Sequence, residues 1–203
     1  MEIFLVAVFS YLCGSIPFGL ILTKAFIGKD IRNIGSRNIG ATNVLRTGNK
    51  YLAFTTLILD IFKGYFAVTI TQQYFPELIQ LSALLVFLGH IFPIWLKFKG
   101  GKGVATFLGV LFALSYSLTL LFILTWITVA LIFKYSSLSS IFASITVFAI
   151  AFIKENIITA IDPNISNVTD IKLLLFIFLI LIIYTHKNNI SNLINRTEHK
   201  IKL

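Results

Sequence analysis

Two loops of the 203-residue chain carry residue types that can hold a phosphate. The first reads Ile31-Arg32-Asn33-Ile34-Gly35-Ser36-Arg37-Asn38-Ile39-Gly40-Ala41-Thr42-Asn43-Val44-Leu45-Arg46. Gly35 and Gly40 let backbone amides turn toward an anion, Ser36, Asn38, Thr42 and Asn43 add polar groups of short reach, and Arg46 adds a planar charged fork. A helix beginning near Ala41 would bring its free amides and positive dipole end to the same place. The second loop, Lys99-Gly100-Gly101-Lys102-Gly103-Val104, sets a lysine among glycines. It lacks the four-residue gap and the Lys-Ser/Thr pair of a nucleotide P-loop. A non-nucleotide phosphate fits better, with Lys102 as point charge and the amides of Gly100, Gly101 and Gly103 as neutral donors.

Further polar groups interrupt apolar surroundings. His90 precedes Pro93 near the end of an apolar run and reads as a ligand or proton group, because polar atoms at membrane depth are expensive. Asp60 and Lys63, spaced i,i+3, share a helical face and read as a neutralising structural pair. His186 and Asn189 have the same spacing and face the same way if their helix continues. Ser137 belongs to the hydroxyl-rich run Tyr135-Ser136-Ser137-Leu138-Ser139-Ser140, read equally as part of a site or as a turn and helix cap. The lone Cys13 excludes an internal disulfide or a cysteine-rich metal site.

The elements that must position these groups are membrane helices. Hydrophobic residues make up 57% of the chain and charged ones 12%, with a mean hydropathy of +0.91, which excludes a water-soluble globular protein. Apolar runs between polar breaks predict spans near 3–23, 52–72, 79–96, 104–115, 117–133, 138–153 and 171–185, an all-α polytopic bundle of about seven helices in one domain, 1–203. The uncharged stretch Val104–Phe133 is too long for one upright helix, and Ser115-Tyr116-Ser117 offers the break. Residues 1–22 read as a retained first span, since Glu2 stands where a signal peptide would be basic.

The net charge of +9 is sorted by side. Lys24, Lys29, Arg32, Arg37, Arg46, Lys50, Lys97, Lys99, Lys102, Lys134, Lys187, Arg196, Lys200 and Lys202 fall on one face of the predicted bundle, 14 of the 17 basic residues. Lys154 and Lys172 lie opposite, with Glu2, Glu77, Glu155, Asp162 and Asp170. The excess of basic residues marks the cytoplasmic side, so the C-terminus is expected inside and the N-terminus outside. Both glycine-rich loops, the serine run and the His186/Asn189 pair then project from that face. A pocket there suits a phosphorylated small molecule meeting a lipid-like one.

The residues resemble the bacterial integral-membrane acyl-phosphate:glycerol-3-phosphate acyltransferases over nearly the whole chain. The resemblance is carried by Gly14-Ser15-Ile16-Pro17-Phe18-Gly19, the Gly35–Arg46 loop, Leu59-Asp60-Ile61-Phe62-Lys63-Gly64, the Gly89–Thr106 motif, Tyr135-Ser136-Ser137-Leu138 and His186-x-x-Asn189-Ile190 with its later Glu198. It implies acyl transfer from acyl phosphate to the 1-hydroxyl of glycerol 3-phosphate, giving the lysophosphatidic acid that begins phospholipid synthesis. Ser36 and Arg46 fall on essential positions of the first motif, with Asn38, Thr42 and Asn43 lining the same phosphate site. Gly100, Gly101, Lys102 and Gly103 fall on the glycerol-3-phosphate motif, His186 and Asn189 on the third, and Glu198 on a position that serves integrity. Arg37 stands where the family usually has Gly, and Asn192 and Arg196 where it often has Arg and Gly.

Acyl phosphate is already activated, so no covalent nucleophile is needed, and the sequence offers neither a reactive Cys nor a G-x-S-x-G elbow. Direct attack by the glycerol hydroxyl is expected, with Ser36, Arg46, Lys102, His186 and Asn189 as the catalytic set and His90 and Ser137 among the substrate-binding residues. The proton acceptor stays open between His186, His90 and a substrate phosphate oxygen. No cofactor, metal or nucleic acid is expected; membrane lipids are, with a monomer in the bacterial inner membrane and its active site facing the cytoplasm. The alternative is a small transporter or flippase of a phosphorylated metabolite, against which stand the absence of an internal repeat and the one-sided chemistry.

Overall fold

The structure, a computed structural model, describes residues 1–153 and 168–201. All its regular elements among those residues are helical: α1 (Glu2–Ser15), α2 (Phe18–Ile27), α3 (Ala41–Leu45), α4 (Lys50–Tyr74), α5 (Ile79–Ile91), α6 (Val104–Leu114), α7 (Tyr116–Phe133), α8 (Ser136–Ile153), α9 (Val168–Thr185) and α10 (Lys187–Ile194), with short 3-10 turns at Ile31–Asn33, Pro76–Leu78 and Ile94–Leu96. Two compact units result, Met1–Ala113 and Leu114–Leu203.

Every apolar run of the sequence is helical, and two of them are interrupted within. The first run is broken at Ile16-Pro17, where proline lacks the amide that would continue the ladder, and α1 and α2 lie on either side. The third leaves α-helical geometry after Ile91 and reaches residue 96 through the 3-10 turn Ile94–Leu96, because Pro93 pushes Phe92 out of helical geometry (φ −128°, ψ 58°). Ser115 splits the long uncharged run as expected, its Oγ accepting the Leu118 amide at 3.3 Å as the cap of α7. Four stretches are long and apolar enough to cross a membrane, Glu2–Ile27, Lys50–Tyr74, Pro76–Leu96 and Tyr116–Phe133. Ile171–Thr185 and Lys187–Ile194, bent by 59°, meet the same length only when taken together, while Val104–Leu114 and Ser136–Phe152 are apolar but shorter. Lys154, Glu155 and Asp162 of the expected outer loop, and Lys202 of the tail, lie outside the described residues.

Burial is inverted relative to a water-soluble protein. Phe4, Phe26, Phe54, Leu124, Leu131 and Ile180 face outward, while Ser10, Thr56, Thr71, Ser82, Ser140 and Ser144 are buried. Lipid makes outward phenylalanines cheap and requires polar groups to find partners inside. Within the first unit, α1 and α5 touch backbone to backbone: a Cβ on Gly14 would meet the Val86 carbonyl, and one on Gly89 the Tyr11 carbonyl. Ser10 Oγ and Ser82 Oγ are bonded at 2.8 Å across this seam, and Ser82 Oγ also donates to the Ala67 carbonyl of α4 at 3.1 Å. Such small-residue seams replace the hydrophobic drive that lipid removes.

An apolar base of Leu20, Ile31, Ile39, Val44, Leu52 and Ala53 underlies the first glycine-rich loop, and Leu96, at the foot of the second, packs against it. The two loops therefore share a floor within the first unit. In the second unit Trp126 Nε1 donates to Ser140 Oγ at 3.0 Å, joining α7 to α8, and Phe148 meets Phe176 at 5.6 Å between ring centroids, joining α8 to α9.

Candidate active site

The first loop is organised around one buried amide. Asn43 Oδ1 accepts the Ser36 amide at 3.0 Å, and Nδ2 donates to the carbonyls of Ile34 (2.9 Å), Asn38 (2.7 Å) and Ile31 (3.1 Å). Two amide hydrogens shared among these carbonyls hold the loop as one turn, at about 1 kcal/mol net for each bond. Asn38 Oδ1 accepts the Gly40 amide at 2.9 Å and fixes the entry to α3. That helix does begin at Ala41, but it has only 5 residues, so its dipole adds little. Gly35 stands at φ +53°, and a Cβ there would sit 2.6 Å from Asn43 Oδ1 and 2.7 Å from Arg46 Cδ. Glycine at this point lets the Arg46 stem lie across the turn.

Ser36, Arg37, Thr42 and Arg46 of the loop are all exposed. Among the described residues the Ser36 hydroxyl and the Arg46 guanidinium have no hydrogen bond or ion pair. By contrast Arg32 is committed: its Nε and Nη2 donate to Asp30 Oδ1 and Oδ2 at 2.9 and 2.6 Å, with Lys24 Nζ 3.6 Å from Oδ2. The Arg32 hydrogen bonds hold the Asp30 carboxyl well below the usual carboxylate range. Arg37 and Arg46 are both without a carboxylate among the described residues, and Arg46 is the one whose stem is laid across the turn at Gly35.

The second loop is packed from beneath. The amides of Gly100 and Gly101 donate to the carbonyls of Ile91 and His90 at 3.1 and 3.0 Å, so these two are engaged internally rather than offered to a ligand as expected. A Cβ on Gly101 would collide with His90 Nε2, and one on Gly103 (φ +86°) with the Phe87 ring. The glycines thus let the backbone lie directly on two rings, and Lys102 rises between them, half-buried, just before α6 starts at Val104. Lys97 and Phe98 take left-handed conformations, φ 52° and 61°, turning the chain back over α5.

His90 lies below this surface beside the Asp60/Lys63 pair, and all three side chains are buried. Lys63 Nζ is 2.8 Å from Asp60 Oδ1 and donates to the Ile16 carbonyl, also at 2.8 Å; His90 Nδ1 is 3.7 Å from the same Oδ1. The expected i,i+3 pairing is present, and the sequence did not reveal its third member or its role in capping the helix break. Trp95 Nε1 likewise donates to the Ser15 carbonyl at 2.9 Å, and Tyr11 Oη to the Phe92 carbonyl at 2.7 Å. These ties were legible only as polar-tipped aromatics near a proline.

In the second unit the tail folds back on α10 and on Ser137 of α8. Glu198 Oε1 accepts Asn189 Nδ2 at 2.6 Å and Ser137 Oγ at 2.9 Å, and Oε2 accepts Asn192 Nδ2 at 3.3 Å. His186 is buried at the bend between α9 and α10, its Nδ1 2.8 Å from the Ile182 carbonyl. Ser36, Asn38, Thr42, Asn43, Arg46, His90 and Gly100–Gly103 thus belong to the first unit, and Ser137, His186 and Asn189 to the second.

The family model of glycerol-3-phosphate acyltransferases matches residues 4–196. Over all 203 residues, 100% of both chains, the sequence is 50% identical to a glycerol-3-phosphate acyltransferase of Pelagibacter ubique. It is 48% identical to one of Mesorhizobium japonicum, covering 97% of this chain and 95% of the other. The fold superposes with a TM-score of 0.88 on the crystal structure of PlsY (YgiH), an integral membrane glycerol 3-phosphate acyltransferase, in its glycerol 3-phosphate form; the two are 36% identical, with 99% of this chain and 96% of that one covered. With the family model spanning nearly its whole length, the chain belongs to the glycerol-3-phosphate acyltransferase family and is an integral membrane acyltransferase.

Proposed function

We propose that the chain transfers an acyl group from acyl phosphate to the 1-hydroxyl of glycerol 3-phosphate, releasing inorganic phosphate and 1-acylglycerol 3-phosphate, without an acyl-enzyme. The observation that carries this reading is the first loop: a turn locked by Asn43 that presents Ser36 and Arg46 outward with no internal partner among the described residues, over the floor it shares with the Lys102 loop. Two cationic groups on a common base suit a reaction with two phosphates, one on each substrate. Arg46 holds a phosphate by its fork, Lys102 adds a point charge, and Ser36 donates a hydrogen bond. A mixed anhydride needs orientation and charge stabilisation more than a nucleophile.

In this reading Asn38, Thr42 and Asn43 shape the phosphate site, Gly100, Gly101 and Gly103 let the backbone approach it, and His90 supports that backbone. The family resemblance adds Ser137, His186 and Asn189, with His186, His90 or a phosphate oxygen of a substrate taking the proton. The protein is one catalytic domain of seven spans, monomeric, in the bacterial inner membrane, with the N-terminus outside and the C-terminus and site at the cytoplasmic face, where membrane lipids meet the soluble acceptor.

The deciding assay supplies purified protein with glycerol 3-phosphate and either acyl phosphate or acyl-CoA. Lysophosphatidic acid formed from the first donor alone is the expected result. Product from acyl-CoA at a comparable rate would refute the donor assignment, and a labelled acyl group retained on the denatured protein would refute direct transfer.

A further inference from the structure

The proposed chemistry leaves a buried ionic cluster without a use. Asp60 and Lys63 are 2% and 3% exposed and His90 is 4% exposed. A buried ion pair is a poor source of stability, since apolar residues of the same volume often serve as well. Its neighbours point to another role. Lys63 is anchored twice, on Asp60 Oδ1 and on the Ile16 carbonyl, each at 2.8 Å. Asp60 therefore has a fixed place, and its Oδ1 lies 3.7 Å from His90 Nδ1, which makes no hydrogen bond among the described residues. The opposite edge of the same ring, at Nε2, occupies the space where a Cβ of Gly101 would be, and the His90 carbonyl accepts the Gly101 amide at 3.0 Å. The imidazole thus lies between the charge of a carboxylate facing one nitrogen, beyond hydrogen-bond distance, and loop backbone packed against the other.

We propose that Asp60, held by Lys63, is a positioning residue for the Gly100–Gly103 loop: it fixes the His90 ring on which Gly101 rests, and with it the backbone that carries Lys102. The inference rests on the reading of Lys102 as a group that binds glycerol 3-phosphate. Loss of the fixed ring displaces Lys102 without removing it, so the acceptor is bound less well while the donor is not.

The test uses the purified full-length protein. Asp60→Asn keeps the shape and removes the charge; His90→Phe keeps a ring beneath Gly101 and removes the nitrogen facing Asp60. Each is expected to raise KM for glycerol 3-phosphate about tenfold while KM for acyl phosphate moves by less than about twofold. The double variant is expected to match the single ones rather than multiply to about a hundredfold, because both act through one contact. An unchanged KM for glycerol 3-phosphate in Asp60→Asn, or full multiplication in the double variant, overturns the proposal. A purely structural role would lower the melting temperature and the amount of active protein while leaving that KM alone. Should Asp60→Asn fail to fold, Asp60→Asn with Lys63→Met removes both charges together and is read in the same way: a raised acceptor KM supports the proposal and a wild-type value overturns it. Lys102→Met run in parallel separates the two levels. An unchanged acceptor KM there refutes the phosphate role of the loop and the inference with it, whereas a raised value there beside a normal one in Asp60→Asn refutes the inference alone.

Discussion

The first glycine-rich loop and the C-terminal motif are both built around a central side chain, yet the two centres bind different things. Asn43 is satisfied by backbone: the Ser36 amide and the Ile31, Ile34 and Asn38 carbonyls. Glu198 is satisfied by side chains, those of Ser137, Asn189 and Asn192. A centre that engages main chain fixes the course of a loop; a centre that engages side chains fixes elements to one another and sets the direction of those groups. Similar polar inventories thus shape a backbone turn in one place and hold side chains in place in the other.

The largest expected effect breaks this comparison on the side of the loop. Arg46→Ala should lower kcat/KM by at least about 100-fold, roughly 3 kcal/mol of lost charge-assisted binding, with the melting temperature unchanged, because the side chain has no internal partner to lose. Near-normal turnover in a folded variant would show that the outward arginine is not part of the site. Glu198→Gln should do the reverse. It weakens charge-assisted bonds worth about 1.5–3 kcal/mol in total, so thermal unfolding should occur several degrees lower while kcat per folded molecule stays within about threefold. A large fall in kcat at an unchanged melting temperature would mean that Glu198 acts in the reaction itself and not as a brace. The smallest effect sharpens the comparison. Arg37 and Arg196 both take left-handed conformations at φ 58°, where a Cβ costs about 1–2 kcal/mol. Arg37→Gly relieves that strain but adds freedom to the unfolded chain, so a gain of no more than about 1 kcal/mol is expected by urea or thermal unfolding. A loss instead would indicate that Arg37 contributes a contact beyond its backbone.

These arginines also mark what was legible beforehand. Both stand where the family resemblance leads one to expect glycine, and the positive φ supplies the physical reason for glycine there. The helices were readable because lipid demands long apolar runs, and Ser115 was readable as a break because a hydroxyl beside a long uncharged run is a ready cap. The third span ends where expected, at residue 96, but the interruption inside it is not legible, because Pro93 acts backward on Phe92, an effect weaker to the eye than continuing hydrophobicity. Asn43 was placed in the right loop, but its buried role depends on three carbonyls brought together by a turn, which spacing does not encode. The Asp60/Lys63 pair followed from i,i+3 geometry, whereas the approach of His90 required α4 and α5 to pack.

The break between α1 and α2 bears on how the protein is made. Its exposed carbonyls are capped from later in the chain: Ile16 by Lys63 and Ser15 by Trp95. When the first apolar segment enters the bilayer, neither cap has yet been synthesised, and bare carbonyls in hydrocarbon are costly. Pro17 breaks the ladder in the nascent segment as in the finished one, so these carbonyls lack their protein partners until the later segments pack. Residue order along the chain sets a schedule: the break comes with Pro17, and its caps come first with Lys63 and then with the turn that carries Trp95.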